Sequence, residues 1–295
     1  MKGSRECRVG HASRLASGST GSTLTEHMAV FFDTHAHLDF PEFESDLPEV
    51  VARAEAAGIS RIVTIGTTLE SSRRAVALAQ RFPNVFAAVG WHPGHAEEAP
   101  ADFRTELRDL ARSPKVVAIG ECGLDYYRLP GKTGAPAEAD ERIKTKQMEV
   151  FRQQIEVAAD LRLNLVVHTR ESFADTLGVL SPSAAAVRGV FHCFIGSPAE
   201  MCQVLAVGSL VSFTGIATFK SAASVRESLV ACPAGQFMIE TDSPFLAPVP
   251  FRGKRCEPAH VQNIAQVVAE LRGEPLETLG EQTCQAARAF FRGLA

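Results

Sequence analysis

The amino-acid sequence predicts an α/β fold, a (β/α)8 TIM barrel, on three observations. Short apolar runs alternate with segments of helical spacing from Val30 onward, which is typical of repeated βα units. Those runs are almost continuously apolar, as expected for parallel strands that are buried on both faces. The chain of 295 residues also has room for one such barrel, which takes about 250 residues.

Eight strands and the helices between them can be placed in order along the chain. The predicted strands are residues 30–35, 61–66, 85–90, 116–121, 163–168, 187–192, 209–214 and 236–241. The first crossover helix has Asp46 as a candidate N-cap and Gly58 as a candidate C-terminal stop. After Gly273 an amphipathic segment predicts an extra C-terminal helix. A doubly wound open sheet is the alternative, but it favours a Gly-rich loop where this chain has Asp33-Thr34-His35.

Two segments fall outside this regular pattern. Residues 1–27 are rich in Ser, Thr and Gly with almost nothing apolar, which predicts a disordered N-terminal extension without the apolar core of a secretory signal. Met28 directly precedes the first apolar run, which favours a start at Met28 and a barrel domain over residues 28–295. Residues 128–141 are rich in Pro, Gly and Ala without periodicity, which predicts either a loop over the active end of the barrel or a tolerated surface insertion.

Composition excludes several classes of protein. No apolar run approaches the roughly 18 residues of a membrane helix, so we expect no membrane span. The seven cysteines are scattered without a Cys-x-x-Cys pair, which argues against a disulfide framework and favours a cytoplasmic protein. The net charge of −4 lacks the basic footprint of many nucleic-acid-binding proteins. No obligate protein partner is indicated.

Six potential metal ligands stand where predicted strands end. They are His35 and His37 at the first strand, Glu121 at the fourth, His168 at the fifth, His192 at the sixth and Asp242 just after the eighth. Because active sites of TIM barrels lie at the carboxyl ends of the strands, these side chains are expected to meet. The two histidines of the first strand are two residues apart, so they point to the same face.

This ligand set suits two divalent metal ions better than one. Four imidazoles and two carboxylates exceed a single tetrahedral site, and a carboxylate such as Glu121 can bridge two cations that activate a water molecule. Asp242 can bind metal through one oxygen and accept the proton of that water through the other. Nitrogen and oxygen ligands without thiolate admit Zn²⁺, Mn²⁺ or Mg²⁺.

Four motifs resemble those of the TatD family of metal-dependent deoxyribonucleases. They are Asp33-Thr34-His35-Ala36-His37-Leu38-Asp39, Gly120-Glu121-Cys122-Gly123-Leu124-Asp125-Tyr126, His168-Thr169-Arg170-Glu171 and Glu240-Thr241-Asp242-Ser243-Pro244. The resemblance implies that His35 and His37 hold one metal, that Glu121 bridges, and that His168 and His192 hold the second metal. It also implies Asp242 as a shared ligand and the catalytic base. Asn164 and Cys256 depart from the family pattern, but neither is a presumed ligand.

The resemblance also implies a DNA substrate, cleaved from a 3′ end of single strands or frayed duplex. Arg170, Arg252 and Lys254 are the expected phosphate contacts, since guanidinium groups and ammonium groups pair with phosphate oxygens. His92, in the matching Gly-Trp-His-Pro element, either contacts phosphate or lines the site, and Tyr126 either stacks on a base or packs the mouth. Hydrolysis of another ester or amide, such as an aminoacyl-tRNA, is the alternative, and a non-catalytic metal- or nucleic-acid-binding barrel is a further one.

Overall fold

The computed structural model describes residues 29–294, and within this range the chain forms eight strands and nine α-helices. The strands are β1 Phe31–Ala36, β2 Ile59–Ile65, β3 Val85–Val89, β4 Val116–Asp125, β5 Asn164–Arg170, β6 Gly189–Phe191, β7 Leu210–Phe213 and β8 Phe237–Ile239. The helices are α1 Leu47–Ala56, α2 Leu69–Arg81, α3 Arg104–Ala111, α4 Ala137–Leu161, α5 Phe173–Leu180, α6 Pro198–Ala206, α7 Ala223–Ala231, α8 Val261–Arg272 and α9 Leu276–Phe290. Each of the eight strands overlaps its predicted position. The predicted extension over residues 1–27 lies outside the described residues, and the domain start at residue 28 stays a prediction.

The eight strands form one parallel sheet in sequence order that curves until its two edges meet. Ala36 of β1 forms a parallel bridge with Ser243, which follows β8. On either side of this bridge, the amide of Asp242 donates to the carbonyl of His35 (2.9 Å) and the amide of His37 donates to the carbonyl of Ser243 (2.7 Å). The predicted TIM barrel is therefore confirmed, and its closure brings two candidate ligand segments side by side.

The extra helix α9 covers the amino-terminal end of the barrel. Its last residue, Phe290, and the following Phe291 belong to the same buried cluster as Phe32 and Val166 from the strands. At this end, the side-chain amide of Asn164, the first residue of β5, donates to the carbonyl of Phe290 (2.6 Å). Because α9 covers one end, the opposite carboxyl end is left for the functional site.

Strand β4 extends beyond its predicted end at residue 121 and pairs with β5 as far as Asp125. Gly123 makes this possible: its φ is +131°, and a Cβ there would lie 2.0 Å from the carbonyl oxygen of His168. Only glycine fits such a close approach of two backbones. The extension carries Asp125 to the mouth of the barrel, beside β5.

The segment 128–141 is only partly the loop that its composition suggests. It contains a short 3₁₀ turn, Pro130–Thr133, and its last residues form the first turn of α4. Ala, Glu and Asp after Pro136 are good residues for a helix start, because acidic side chains stabilise the first turn. Arg128 and Leu129 line the cavity at the carboxyl end, so the start of the segment does reach the site.

Within residues 29–294, no helix combines the length and the apolar character that crossing a membrane requires.

Candidate metal centre

The six side chains proposed as metal ligands converge at the carboxyl end of the barrel. They are His35 in β1, His37 directly after it, Glu121 in β4, His168 in β5, His192 directly after β6 and Asp242 after β8. Their nitrogen and oxygen atoms form clusters within 4.8 Å, and one further cluster contains His92. The convergence follows from the parallel barrel, which places the carboxyl ends of all its strands at the same end.

Glu121 lies at the middle of these side chains. Its Oε1 lies 2.8 Å from both His168 Nδ1 and His192 Nε2, and its Oε2 lies 3.5 Å from His35 Nε2 and 3.7 Å from His37 Nε2. Burial alone would raise the pKa of this carboxyl, but the surrounding histidines, His192 first, hold it well below its ordinary value. The residue is therefore a buried anion whose two oxygens face two separate histidine pairs.

His35, His37 and Asp242 form one side of the centre. Asp242 Oδ1 lies 3.3 Å from His37 Nε2 and 3.6 Å from His35 Nε2, and the two Nε2 atoms are 3.3 Å apart. Asp242 adopts a φ of +58°, a strained conformation for a residue with a side chain. Its hydrogen bond to His35 across the barrel closure holds it there. Three donor atoms from two strands thus point at one position that a cation could occupy.

His168 and His192 form the other side, and each has a second carboxylate on its outer nitrogen. His168 Nε2 lies 3.2 Å from Asp125 Oδ2, and His192 Nδ1 lies 3.6 Å from Glu240 Oε1. Glu240 is fully buried and also accepts from the amide of Cys193 (2.8 Å). Carboxylates in this position fix the orientation of a metal-binding imidazole and raise its basicity. Both residues lie inside motifs that the sequence singles out, but neither is given a role from the sequence alone.

A buried carboxyl also joins the first and last strands beneath the centre. Asp33 Oδ2 accepts a 2.6 Å hydrogen bond from the Thr241 hydroxyl, and Asp33 Oδ1 accepts from the Thr241 amide at 2.9 Å. Complete burial raises the pKa of Asp33 to about 8. The hydrogen bonds between Asp33 and Thr241 fix the positions of β1 and β8 relative to each other along the barrel axis. They thereby also place His35 and Asp242, which follow Asp33 and Thr241 in the chain.

His92 faces the centre with its Nε2 atom and belongs to one of the groups that could hold a cation. Its Nδ1 accepts from the Gly94 amide (2.9 Å), so the proton of a neutral ring must be on Nε2. Burial lowers the pKa of His92 to about 3, which keeps the ring neutral. Nε2 lies 3.6 Å from Glu121 Oε1 and therefore presents an N–H group toward the centre.

A cavity of about 770 Å³ opens above the centre, and its walls differ in chemistry. Arg128 and Arg170 line it on the side of β4 and β5. The Arg170 guanidinium stacks on the ring of Tyr127, 3.6 Å from the ring centre, which orients its charge. On the side of β6 to β8 the wall is apolar, with Ile195 and Phe245.

The other predicted substrate contacts lie elsewhere. Arg252 and Lys254 are not among the residues that line this cavity, and the Arg252 guanidinium packs over Phe219 at 4.2 Å. Tyr126 is buried and donates its hydroxyl proton to Asp175 Oδ2 (2.9 Å), so its ring packs the mouth. Of the predicted phosphate contacts, the structure places His92 and Arg170 at the cavity. Phosphate binding by Arg252 and Lys254 stays a prediction that this geometry does not favour.

Comparisons with known proteins identify the family of this chain. The TatD related DNase family matches residues 32–292. The metal-dependent hydrolase YabD of Bacillus subtilis is 37% identical over 264 residues, covering 89% of this chain and 99% of the relative. A protein of Erwinia billingiae named 3′-5′ ssDNA/RNA exonuclease TatD is 37% identical over 268 residues, covering 88% of this chain and 98% of the relative.

A solved structure gives the same result. YjjV, a TatD homologue from Escherichia coli, is 27% identical and superposes with a TM-score of 0.80, covering 88% of this chain and 97% of that one. The family match spans nearly the whole described barrel and includes all six converging side chains. The chain therefore belongs to the TatD family and is a metal-dependent hydrolase.

Proposed function

We propose that the protein is a 3′–5′ exonuclease that hydrolyses phosphodiester bonds at the ends of single-stranded or frayed DNA, with two divalent cations at its centre. The observation that carries this proposal is the position of Glu121, whose two oxygens face two separate histidine pairs. The name of the Erwinia relative, which is 37% identical, supports a nucleic-acid substrate.

The donor set fits two cations. His35, His37 and Asp242 would hold one, His168 and His192 would hold the other, and Glu121 would bridge them. When bound, divalent cations in such a centre act as Lewis acids that polarise a phosphoryl oxygen and make a water molecule more acidic. Nitrogen and oxygen donors admit Mg²⁺, Mn²⁺ or Zn²⁺.

Side chains of the cavity would carry the remaining steps. Burial raises the pKa of Asp242, but His37 and the neighbouring histidines lower it to a net value below the ordinary one, so the carboxylate is ionised and can accept a proton from the attacking water. The Nε2–H of His92 can donate to a phosphoryl oxygen on which negative charge develops. Arg128 and Arg170 can pair with the phosphates that follow along the strand.

The direct test is degradation of oligonucleotides labelled at one end, with and without a chelator. We expect early release of label from the 3′ end, a descending ladder from a 5′ label, and complete inhibition by EDTA with recovery on adding Mg²⁺, Mn²⁺ or Zn²⁺. Parallel assays with duplex DNA, RNA and an aminoacyl ester establish the preferred substrate. Cleavage that persists in chelator, or a preference for the aminoacyl ester, would contradict the proposal.

The salt dependence gives a second test of the same proposal. Two arginines at the cavity imply about two phosphate contacts, so the logarithm of 1/KM should fall with the logarithm of salt concentration with a slope of about −1.4 for a single strand. A slope several times steeper would require a wide basic surface, which conflicts with a chain of net charge −4.

A further inference from the structure

Phe245 is an apolar side chain that stands exposed at the mouth of the cavity. It is 47% exposed, and Ile195, which lines the same wall, is 54% exposed. Large apolar groups left open to water beside a functional centre indicate a binding surface when they cluster. Phe40 also lines the cavity, and its ring meets that of Phe245 edge to face, with centres 5.9 Å apart.

The backbone holds Phe245 in place. Its amide donates to the carbonyl of Asp242 (2.9 Å), which makes a tight turn directly after the candidate ligand. The next residue, Leu246, has a φ of +53°, and its carbonyl packs against Gly215, where a Cβ would lie 2.1 Å from it. The exposed ring is therefore presented by a fixed segment, so little conformational entropy is lost when a ligand packs on it.

The ring is close to the reacting centre. The centre of the Phe245 ring lies 6.3 Å from that of His37, and the Phe40 ring stacks on His37 at 4.7 Å. A group attached to the phosphate that reacts above Glu121 can therefore reach this wall. Aromatic side chains beside a nucleic-acid channel commonly bind bases, because every base has a flat face that stacks.

The different charges of the two cavity walls also determine how a DNA strand is oriented in the cavity. Among the described residues that line the cavity, the arginines are Arg128 and Arg170, both on the β4 and β5 side, whereas the wall with Phe245 carries no arginine or lysine. The body of a DNA strand brings many phosphates and favours the arginine side. The terminal nucleotide beyond the scissile bond brings a base and a sugar but no further phosphate, which suits the apolar side.

We propose that Phe245, together with Phe40 and Ile195, binds the base of the 3′-terminal nucleotide, the one that hydrolysis releases. This inference rests on the proposed exonuclease function and adds the subsite that recognises the leaving nucleotide. Loss of one base–aromatic stack typically weakens binding by about 1 to 3 kcal/mol, which corresponds to about 5- to 150-fold in affinity.

The test compares two oligonucleotides that differ only at the 3′ end, one with a normal nucleotide and one with an abasic nucleotide there. Phe245→Ala should raise KM roughly tenfold for the normal end and leave KM for the abasic end unchanged. Phe245→Tyr should retain the wild-type values, because the aromatic face remains. Val249→Ala, in the same loop, serves as the matched control, since Val249 is also 47% exposed but does not line the cavity.

The possible outcomes separate the subsite from the function. An equal loss on both substrates would overturn the base contact, because the ring would then act on the centre itself, and no loss on either would overturn the subsite. In both cases the exonuclease function would stand, since the wild-type protein degrades the normal oligonucleotide. If the wild-type protein degraded neither oligonucleotide, the proposed function and the subsite would both be wrong. Arg170→Ala should raise KM on both substrates alike, because the contacted phosphates are present in both.

Discussion

The two histidine pairs at the centre differ in the groups that lie near their outer ring nitrogens, the ones that face away from Glu121. His168 and His192 each have a carboxylate, Asp125 or Glu240, near the ring nitrogen that faces away from Glu121. Neither His35 Nδ1 nor His192 Nδ1 has a hydrogen-bond partner within residues 29–294, but His192 Nδ1 has the Glu240 carboxylate at 3.6 Å and His35 Nδ1 has no carboxylate in ion-pair contact. His37 Nδ1 faces the carbonyl of Ile65 at 3.3 Å. The outer nitrogens of one pair thus face carboxylates, whereas in the other pair only His37 has an outer partner, a backbone carbonyl.

This difference affects the basicity of the rings. Burial alone would lower the pKa of His168 and His192, but Asp125 and Glu121 raise that of His168, and Glu121 and Glu240 raise that of His192 well above its ordinary value. For His35, burial and the adjacent His192 give a pKa below the ordinary value, whereas burial of His37 is outweighed by Asp242, which raises its pKa. More basic imidazoles are stronger metal donors. Because His35 is the one of these four rings with a lowered pKa, we expect the position at His168 and His192 to bind a cation more tightly than the position at His35 and His37.

The largest effect should come from Glu121, which among residues 29–294 is the carboxylate in ion-pair contact with both pairs. Glu121→Gln removes the shared negative charge, so both cations should bind more weakly and the rate of hydrolysis should fall by roughly a thousandfold or more. Metal content after gel filtration and turnover of a labelled oligonucleotide measure the two effects. Glu227→Gln, an exposed carboxylate on α7, is the control and should change neither. Loss of one cation only would show that Glu121 belongs to a single site.

Asp125→Asn should weaken one cation site and spare the other. The amide cannot supply the charge that raises the basicity of His168, so affinity at the His168 and His192 position should fall roughly 10- to 100-fold. A calorimetric metal titration of the wild-type protein should show two phases, of which only the tighter one moves. Asp175→Asn is the matched control, because Asp175 pairs with Tyr126 away from the centre. Equal weakening of both phases would contradict the claim that Asp125 supports only the cation position at His168 and His192.

Removal of the metal ions should lower Tm, and the dependence of Tm on metal concentration should show the difference in affinity between the two cation positions. A cation that binds only the folded protein at 100 times its dissociation constant contributes about 2.7 kcal/mol, which in a chain of this size corresponds to about 5 °C in Tm. Titrating Mn²⁺ into chelated protein should raise Tm in two steps. In Asp125→Asn the first step should shift to higher concentration and approach the second. A single step in the wild-type protein would mean that the two positions fill together.

The comparison also shows what the sequence could predict and what it could not. The eight strands could be placed because a strand buried on both faces is marked by its own apolar run, as in Val116-Val117-Ala118-Ile119. The side chains of His35 and His37 point to the same face because they are two residues apart in an extended chain. The apolar run of a strand and the direction of side chains two residues apart are both local properties, so they can be derived from sequence without knowing the tertiary contacts.

Long-range contacts could not be predicted in this way. Asp125 and Glu240 lie inside recognised motifs, but nothing local tells which carboxylate will lie beside an imidazole from another strand. The loop after β8 shows the same limit: its basic residues Arg252 and Lys254 suggested phosphate contacts, but neither lines the cavity and Arg252 packs on Phe219. The direction of a loop depends on distant partners, so its charges cannot be assigned to the mouth from sequence alone.

The smallest effect is expected at Thr34, which contacts only one of the supporting carboxylates. Its hydroxyl lies 3.3 Å from Glu240 Oε2 and 3.2 Å from the carbonyl of Ile239, so its single proton is shared between weak partners. Thr34→Val keeps the shape and removes that donor, which should lower the free energy of unfolding by about 1 kcal/mol. Cys193 still donates to Glu240, and His192 is still beside it, so metal affinity should change by less than the roughly tenfold expected for a direct partner. Urea unfolding and the metal titration together check both values. If Thr34→Val weakened the tighter site as much as Asp125→Asn does, the orientation of His192 would depend on β1, and the two histidine pairs could no longer be treated as separately supported.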